Sequence, residues 1–294
     1  MRIALLSRNV KLYSTSRLIG AARARGHELE VLDPIECVLA IARGSQRMLY
    51  RGTEVTGIDV VIPRIGASIT DYGLAVVSHF ERQGVPVCNG SLAIAQSRDK
   101  LRALQLLSQH DVGIPRTALA RDARAVSAAV DAVGGTPVII KLLQGTQGVG
   151  VMIADSKPAV QSMLDTLWGL GQNIILQEFI AEAKGSDIRA LVVGNEVVAA
   201  MRRTAKDGEF RSNLHRGGAG VQTELDAAYR EAALTAARVM GLHVAGVDML
   251  ESTQGPRIIE VNSSPGLRGV ESTSGLDVAQ RIVAHCEQLA HKAA

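Results

Sequence analysis

Asp248, Glu260 and Asn262 are three oxygen-bearing side chains whose types and spacing suit a hard divalent cation. Glu260 and Asn262 lie two residues apart at the end of an apolar-rich run, 258–261, so in a strand both face the same way. Upstream, residues 244–250 read as a second short strand carrying Asp248. The Thr253-Gln254-Gly255-Pro256 turn joins the two strands as an antiparallel hairpin that brings Asp248 opposite Glu260. Two carboxylates and an amide oxygen, with neither His nor Cys in the set, can hold magnesium while substrate phosphates complete the octahedron. From spacing alone, Asp248 and Glu260 read equally well as solvated residues on an exposed sheet face.

A second group of residues answers the charge of a phosphate-bearing ligand. Lys141 interrupts the apolar strand 137–143, where an ammonium needs an anion. Lys100 sits near the start of a helix predicted to begin at Ser97, with Ser97 as its cap and Asp99 in the first turn. The stretch 144–150 holds three glycines in six residues, preceded by one strand and followed by another, 151–154. Dinucleotide and Walker loops feed a helix instead, and the Lys-Ser/Thr ending of a Walker loop is missing. The stretch therefore reads as a glycine-rich hairpin flap whose amides approach phosphates. Basic residues gather at Arg202, Arg203, Lys206, Arg211, His215 and Arg216, either as a solvated loop or as a clamp for phosphate and an acidic substrate.

The elements that must position these side chains follow from periodicity. Residues 3–7, 28–32 and 60–64 read as strands of a parallel sheet, with helices at 14–25 and 71–83 and a further sheet segment at 85–88. This gives a small doubly wound domain over residues 1–95. It lacks Gly-x-Gly-x-x-Gly after its first strand, which argues against a dinucleotide there. Arg64 falls at the carboxyl edge of that sheet, where such folds bind ligands, although a solvated loop arginine has the same signature. Beyond it come helices at 121–133, 158–170 and 225–240, strands at 173–180, 188–193 and 196–201, and a C-terminal helix at 276–290.

Composition narrows the class. The 294 residues are 47% hydrophobic and 21% charged, which describes a globular chain with room for two or three units. A formal charge of +3 and 3% aromatics give no basic face or stacking surface for nucleic acid. Cys37, Cys88 and Cys286 are widely spaced and outside any Cys-x-x-Cys pattern, which predicts buried thiols in a reducing compartment. With no signal peptide and no membrane span in view, the expectation is a cytoplasmic protein.

In combination, Gln-Gly-Val-Gly-Val, Phe-Arg-Ser-Asn-Leu-His-Arg-Gly-Gly and Ile-Glu-Val-Asn-Ser-Ser-Pro-Gly make the chain resemble the ATP-grasp carboxylate–amine ligases over its whole length. It is most similar to the RimK-type glutamate ligases. The resemblance implies an α/β protein, α+β in its C-terminal half. A doubly wound parallel domain (1–95) would be followed by a two-lobed ATP-grasp fold, its central lobe 96–176 and its C-terminal lobe 177–294. It implies that Lys100 and Lys141 bind ATP phosphates, that the backbone at Glu178 and Phe179 binds adenine, and that Asp187 contacts the nucleotide. Arg211, Ser212 and Asn213 would complete the nucleotide site, with Lys141 and Arg211 catalytic, and Asp248, Glu260 and Asn262 would hold two magnesium or manganese ions. The implied reaction adds L-glutamate to the acidic C-terminal tail of small-subunit ribosomal protein six through an acyl phosphate, with Arg202, Arg203, Arg216 and Arg268 gripping the tail. A ligase for a small-molecule or carrier-protein acceptor, and a non-catalytic ATP-binding regulator, remain as alternatives. No membrane or nucleic-acid partner is expected, and homo-oligomerisation is left open.

Overall fold

The computed structural model describes residues 1–143, 150–206 and 218–293. The glycine-rich loop 144–149 and the expected contacts Arg211, Ser212, Asn213 and Arg216 lie outside the described residues.

The chain opens with β1 (Arg2–Leu6), α1 (Tyr13–Ala24) and β2 (Glu28–Leu32), followed by β3 (Cys37–Ala42), β4 (Ser45–Tyr50), β5 (Thr53–Glu54), β6 (Val60–Pro63) and α2 (Thr70–Arg82). β1 lies between β2 and β6, all parallel. Alternation along β1 decides the two faces. Ile3 and Leu5 pack with Leu18 and Ala22 of α1, while Ala4 and Leu6 pack with Val76, Val77 and Phe80 of α2. The expected sheet segment at 85–88 reduces to a single parallel bridge, Val61 to Val87. The antiparallel sheet β3-β4-β5 was not expected.

Next come α3 (Ser91–Arg98) and α4 (Lys100–Gln109), where one helix with a Ser97 cap was predicted. The break falls at Asp99, whose backbone is extended at φ −88° and ψ 100° and whose Oδ1 accepts from Leu101 N and Arg102 N. Ser97 instead closes the last turn of α3 on Ile94 O. The corrected cap leaves Lys100 as the first residue of α4.

The central lobe contains β7 (Thr117–Ala118), α5 (Val126–Ala132), β8 (Val138–Leu142), β9 (Val151–Ala154), α6 (Lys157–Gly169) and β10 (Ile174–Glu178), with sheet order β7-β10-β8-β9. β8 and β9 pair antiparallel, as a hairpin flap requires. α5 and α6 cover one face through Val130, Val160 and Leu164.

The C-terminal lobe contains β11 (Ser186–Val193), β12 (Glu196–Thr204), β13 (Ala219–Gln222), α7 (Ala227–Val239), β14 (Val244–Leu250), β15 (Arg257–Asn262), α8 (Leu267–Ser274) and α9 (Val278–Ala293), with sheet order β13-β12-β11-β14-β15. One face buries Ala190, Val192, Val247, Met249, Ile258 and Val261 against α7. At one end of the opposite face, Leu191 and Val193 share a core with α1, α8 and α9. The other end of that face carries the charged residues of the site.

Candidate functional site

Strand register assembles the site. Asp248 pairs with Glu260, and Gly246 pairs with Asn262, so the predicted hairpin and its opposed carboxylates are present. A register shift between Asp248 and Met249 lets Ile258 and Val261 both reach the core while Glu260 and Asn262 stay on the other face. Gly246 lets Pro265 pack directly on the sheet, because a Cβ there would stand 2.9 Å from Pro265 Cβ.

The neighbouring strands extend the row. Arg189 of β11 pairs with Asp248 of β14, and Arg203 of β12 pairs with Asp187 of β11. Arg189 Nε donates to Asp248 Oδ1 at 2.6 Å, and Arg203 Nε donates to Asp187 Oδ1 at 2.6 Å. Arg203 Nη2 also lies 3.1 Å from Asp248 Oδ2. Burial alone would raise the Asp248 pKa, but the charges of Arg189 and Arg203 hold it below the usual carboxylate range. Asp248 is thus an ionised, buried anchor.

Glu260 differs in kind. It remains open to water although protein atoms surround it densely, which places it on the wall of a cleft. That crowding and the Asp248 charge raise its pKa, against the pull of Arg189, Lys100 and Lys141. A carboxylate destabilised by a second carboxylate across the ladder gains from a divalent cation, and Asn262 adds a neutral oxygen on the same face. The donor set therefore fits a hard ion.

Two lysines join them, Lys141 from β8 of the central lobe and Lys100 from the first position of α4. Lys141 pairs across the ladder with Ile175 and donates to Gln177 Oε1, whose own Nε2 is held by Thr117 Oγ1 at 3.0 Å. Lys100 Nζ donates to Leu142 O at 3.1 Å and Leu143 O at 3.3 Å, which draws the start of α4 to the end of β8. Both ammonium groups sense Glu260. Burial lowers the Lys141 pKa to about 8, with Lys100 adding to the fall and Glu260 opposing it.

That value has a measurable consequence. In the nucleotide-free protein Lys141 is charged well below pH 8 and loses its proton above it, whereas a bound polyphosphate favours the charged form. With Lys141 as the phosphate ligand that the resemblance implies, ATP affinity would fall as pH rises through about 8, and binding near that pH would take up protons. Calorimetry in buffers of different ionisation enthalpy reads this uptake directly. Pure proton release on binding would contradict it.

Glu178 ends β10, its carboxylate held by Arg116 Nη2 at 2.7 Å and Arg116 N at 3.1 Å, and its pKa is lowered chiefly by that arginine. Phe179 follows it, half-buried. Of the basic residues expected to grip an acidic tail, Arg202 is paired with Glu251, Arg203 is buried between Asp187 and Asp248, and Arg268 lies over the Tyr13 ring at 5.1 Å. Arg202 and Arg203 spend their charge within the fold, so that expectation is corrected for these two, whereas Arg268 is exposed.

Residues 1–94 match the family model described as a RimK PreATP-grasp domain, and residues 97–286 match the one described as a RimK-like ATP-grasp domain. The chain belongs to the RimK-like ATP-grasp family. It is an ATP-dependent ligase of the class that joins an acid to an amine.

A relative in Thioalkalivibrio sulfidiphilus, described as a probable alpha-L-glutamate ligase, is 54% identical over 288 residues, covering 98% of this chain and 96% of its own. Among solved ATP-grasp folds, the ligase PsnB with a minimal precursor, Mg and ADP aligns at a TM-score of 0.75 and 20% identity, over 99% of this chain and 98% of that one. A Chryseobacterium gregarium RiPP-associated ATP-grasp ligase holding ADP and a leader and core peptide aligns at 0.75 and 16% identity, over 99% and 97%.

These structures correct one expectation. The polypeptides they hold are a precursor and a leader with its core, not a ribosomal-protein tail, and the glutamylation of small-subunit ribosomal protein six is set aside. Among the described residues no helix is long and apolar enough to cross a membrane.

Proposed function

We propose that this ATP-grasp ligase phosphorylates a carboxylate of a peptide or small-molecule acceptor and joins the acyl phosphate to the amine of an amino acid. The names of its relatives support L-glutamate as that amine. The observation that carries the reading is the convergence of Lys100, Lys141 and Arg189 on Glu260, itself opposite Asp248. Cations for a polyphosphate and carboxylates for a metal thus line one cleft.

In this reading Lys100 and Lys141 bind the phosphates, the backbone at Glu178 and Phe179 takes the adenine, and Asp187 contacts the nucleotide directly or through Arg203. Arg211, Ser212 and Asn213, outside the described residues, complete the nucleotide site from their place in the sequence. Asp248, Glu260 and Asn262 hold two magnesium or manganese ions, which when bound neutralise the charge that builds up during phosphoryl transfer. Lys141 stays on the transferring phosphate and offsets the repulsion between it and the incoming carboxylate. Arg189 fixes the Asp248 carboxylate on the site face. Use of ATP and three buried free thiols support a cytoplasmic location.

The test is incubation with ATP, magnesium, L-glutamate and a panel of acidic peptides, dipeptides and small carboxylates. ADP release and acceptor mass are both read. The expected result is a mass gain of one amino-acid residue for each ADP formed. Absence of ADP with every carboxylate would end the reading.

A further inference from the structure

Arg64 follows β6 at the carboxyl edge of the parallel sheet. It is not a solvated loop arginine. It is half-buried and densely enclosed, and desolvation pulls its pKa down to about 10, with no carboxylate among the described residues opposing the shift. Its Nη2 donates to the Pro265 carbonyl at 2.7 Å. Many arginines here, by contrast, face an acid, among them Arg17 with Glu271, Arg25 with Glu287, Arg47 with Glu54 and Arg116 with Glu178. Several of those are more exposed than Arg64 and have less need of a counter-ion.

A guanidinium removed from water without an anion is costly, and one carbonyl satisfies only one of its five N–H groups. The pocket it lines with Ile62, Cys88, Asn89, Val244 and Ser263 has a volume of about 10 Å³, about one water. An anion must therefore reach Arg64 from its exposed side. Nearby, Arg98 has the same character, with Nη2 on Ile65 O, Nη1 on Thr70 Oγ1 at 3.1 Å, and a sealed Nε without a partner. Two guanidinium groups with no carboxylate partner among the described residues thus flank the segment that begins at Arg64.

Arg64 is not needed merely to fasten this edge to the metal hairpin. Asn89 does so with three hydrogen bonds, donating to Val244 O and Ser263 O at 2.7 Å each and accepting from Val244 N at 2.9 Å. Pro265, which Arg64 touches, is three residues beyond Asn262, at most about 11 Å of chain. An amino acid and the phosphoryl group it displaces can bridge such a gap.

We propose that Arg64 binds a free, non-reacting carboxylate of the amino acid that supplies the amine, with Arg98 strengthening the positive field behind it. The reacting carboxylate of the acceptor is held at the phosphates, and the amine substrate brings a free carboxylate of its own; the hydroxylamine arm of the test below separates it from any further carboxylate of the acceptor. The guanidinium orients that substrate so that its nitrogen attacks the acyl carbon. The C–N bond forms, the acyl–phosphate C–O bond breaks with its electrons leaving on phosphate, and the amine proton passes to solvent.

This inference rests on the ligase reading, and its test separates the two. ATP, magnesium and a tetraglutamate peptide are supplied with either L-glutamate or hydroxylamine, which captures an acyl phosphate as a hydroxamate but has no carboxylate. For Arg64→Met the KM for L-glutamate is expected to rise roughly 10- to 100-fold, with Arg64→Lys in between. Hydroxamate formation and the KM for ATP should stay within twofold of the parent, which also reports an intact fold. Equal losses with both amines in Arg64→Met and Arg64→Lys would make Arg64 a structural latch and overturn the assignment, as would an unchanged KM for L-glutamate. A parent protein that makes neither product with any carboxylate would instead remove the ligase reading, and this inference with it.

Discussion

Glu260→Gln is expected to lower turnover on the order of 10³-fold while leaving the unfolding midpoint of the nucleotide-free protein unchanged or raised. The two halves of this expectation have one cause. Its folded pKa is raised by the protein atoms crowded around it and by Asp248, so any stability it lends is present only at acidic pH and is lost as pH rises through the folded value. At neutral pH the ionised side chain is a cost to the folded protein, and glutamine removes it. Glutamine keeps the size and one oxygen but loses the charge that a divalent ion requires. The parent should therefore gain more in midpoint from magnesium and nucleotide than the variant does. Near-normal turnover would exclude Glu260 from the metal site. A clear drop in the nucleotide-free midpoint would make it part of the fold. Asp248 is the poorer probe of the same idea, because its removal would take the acid partner from Arg189 and leave Arg203 to Asp187 alone in a buried row.

What the sequence reveals of this site depends on the range of the pairing. Asp248, Glu260 and Asn262 belong to one local hairpin, so period-two alternation and a Gly-Pro turn suffice to place them. Arg189 lies about sixty residues from Asp248 and becomes part of the site only through pairing of β11 with β14, which no local pattern specifies. Its signal was its position two residues after Asp187, on the same face. Arg203 looked like one member of a basic loop, yet it is among the most buried charges of the chain. The sheet β3-β4-β5 escaped for another reason. Cys37 and Met48 are buried whereas Val38 is 57% and Ile41 73% exposed, so apolar residues do not mark the inward face. The break between α3 and α4 carries neither Gly nor Pro, and an extended Asp99 makes it. For Arg64 the sequence supplied the location but not the burial, and burial is what changes its meaning.

Lys141→Met should weaken ATP binding roughly 10- to 100-fold and shift the unfolding midpoint by only a few degrees. Two opposing effects set the second figure. Holding an ammonium at a pKa of about 8 against its usual value near 10.5 costs the folded, ligand-free protein on the order of a few kcal/mol, and methionine relieves this. The same change leaves Gln177 Oε1, on a side chain 2% exposed, without its donor. That loss costs about 1–3 kcal/mol. The terms are similar in size and opposite in sign, and the flexible thioether fills the space of the lysine stem. ATP has no such compensation, because the phosphates lose a desolvated cation that the apo protein had held ready at a cost. A strand-end lysine serving only Gln177 would give the reverse pattern, with lower stability and unchanged nucleotide affinity. Parallel titration and thermal unfolding of the one variant therefore distinguish a lysine kept for the fold from one kept for the ligand.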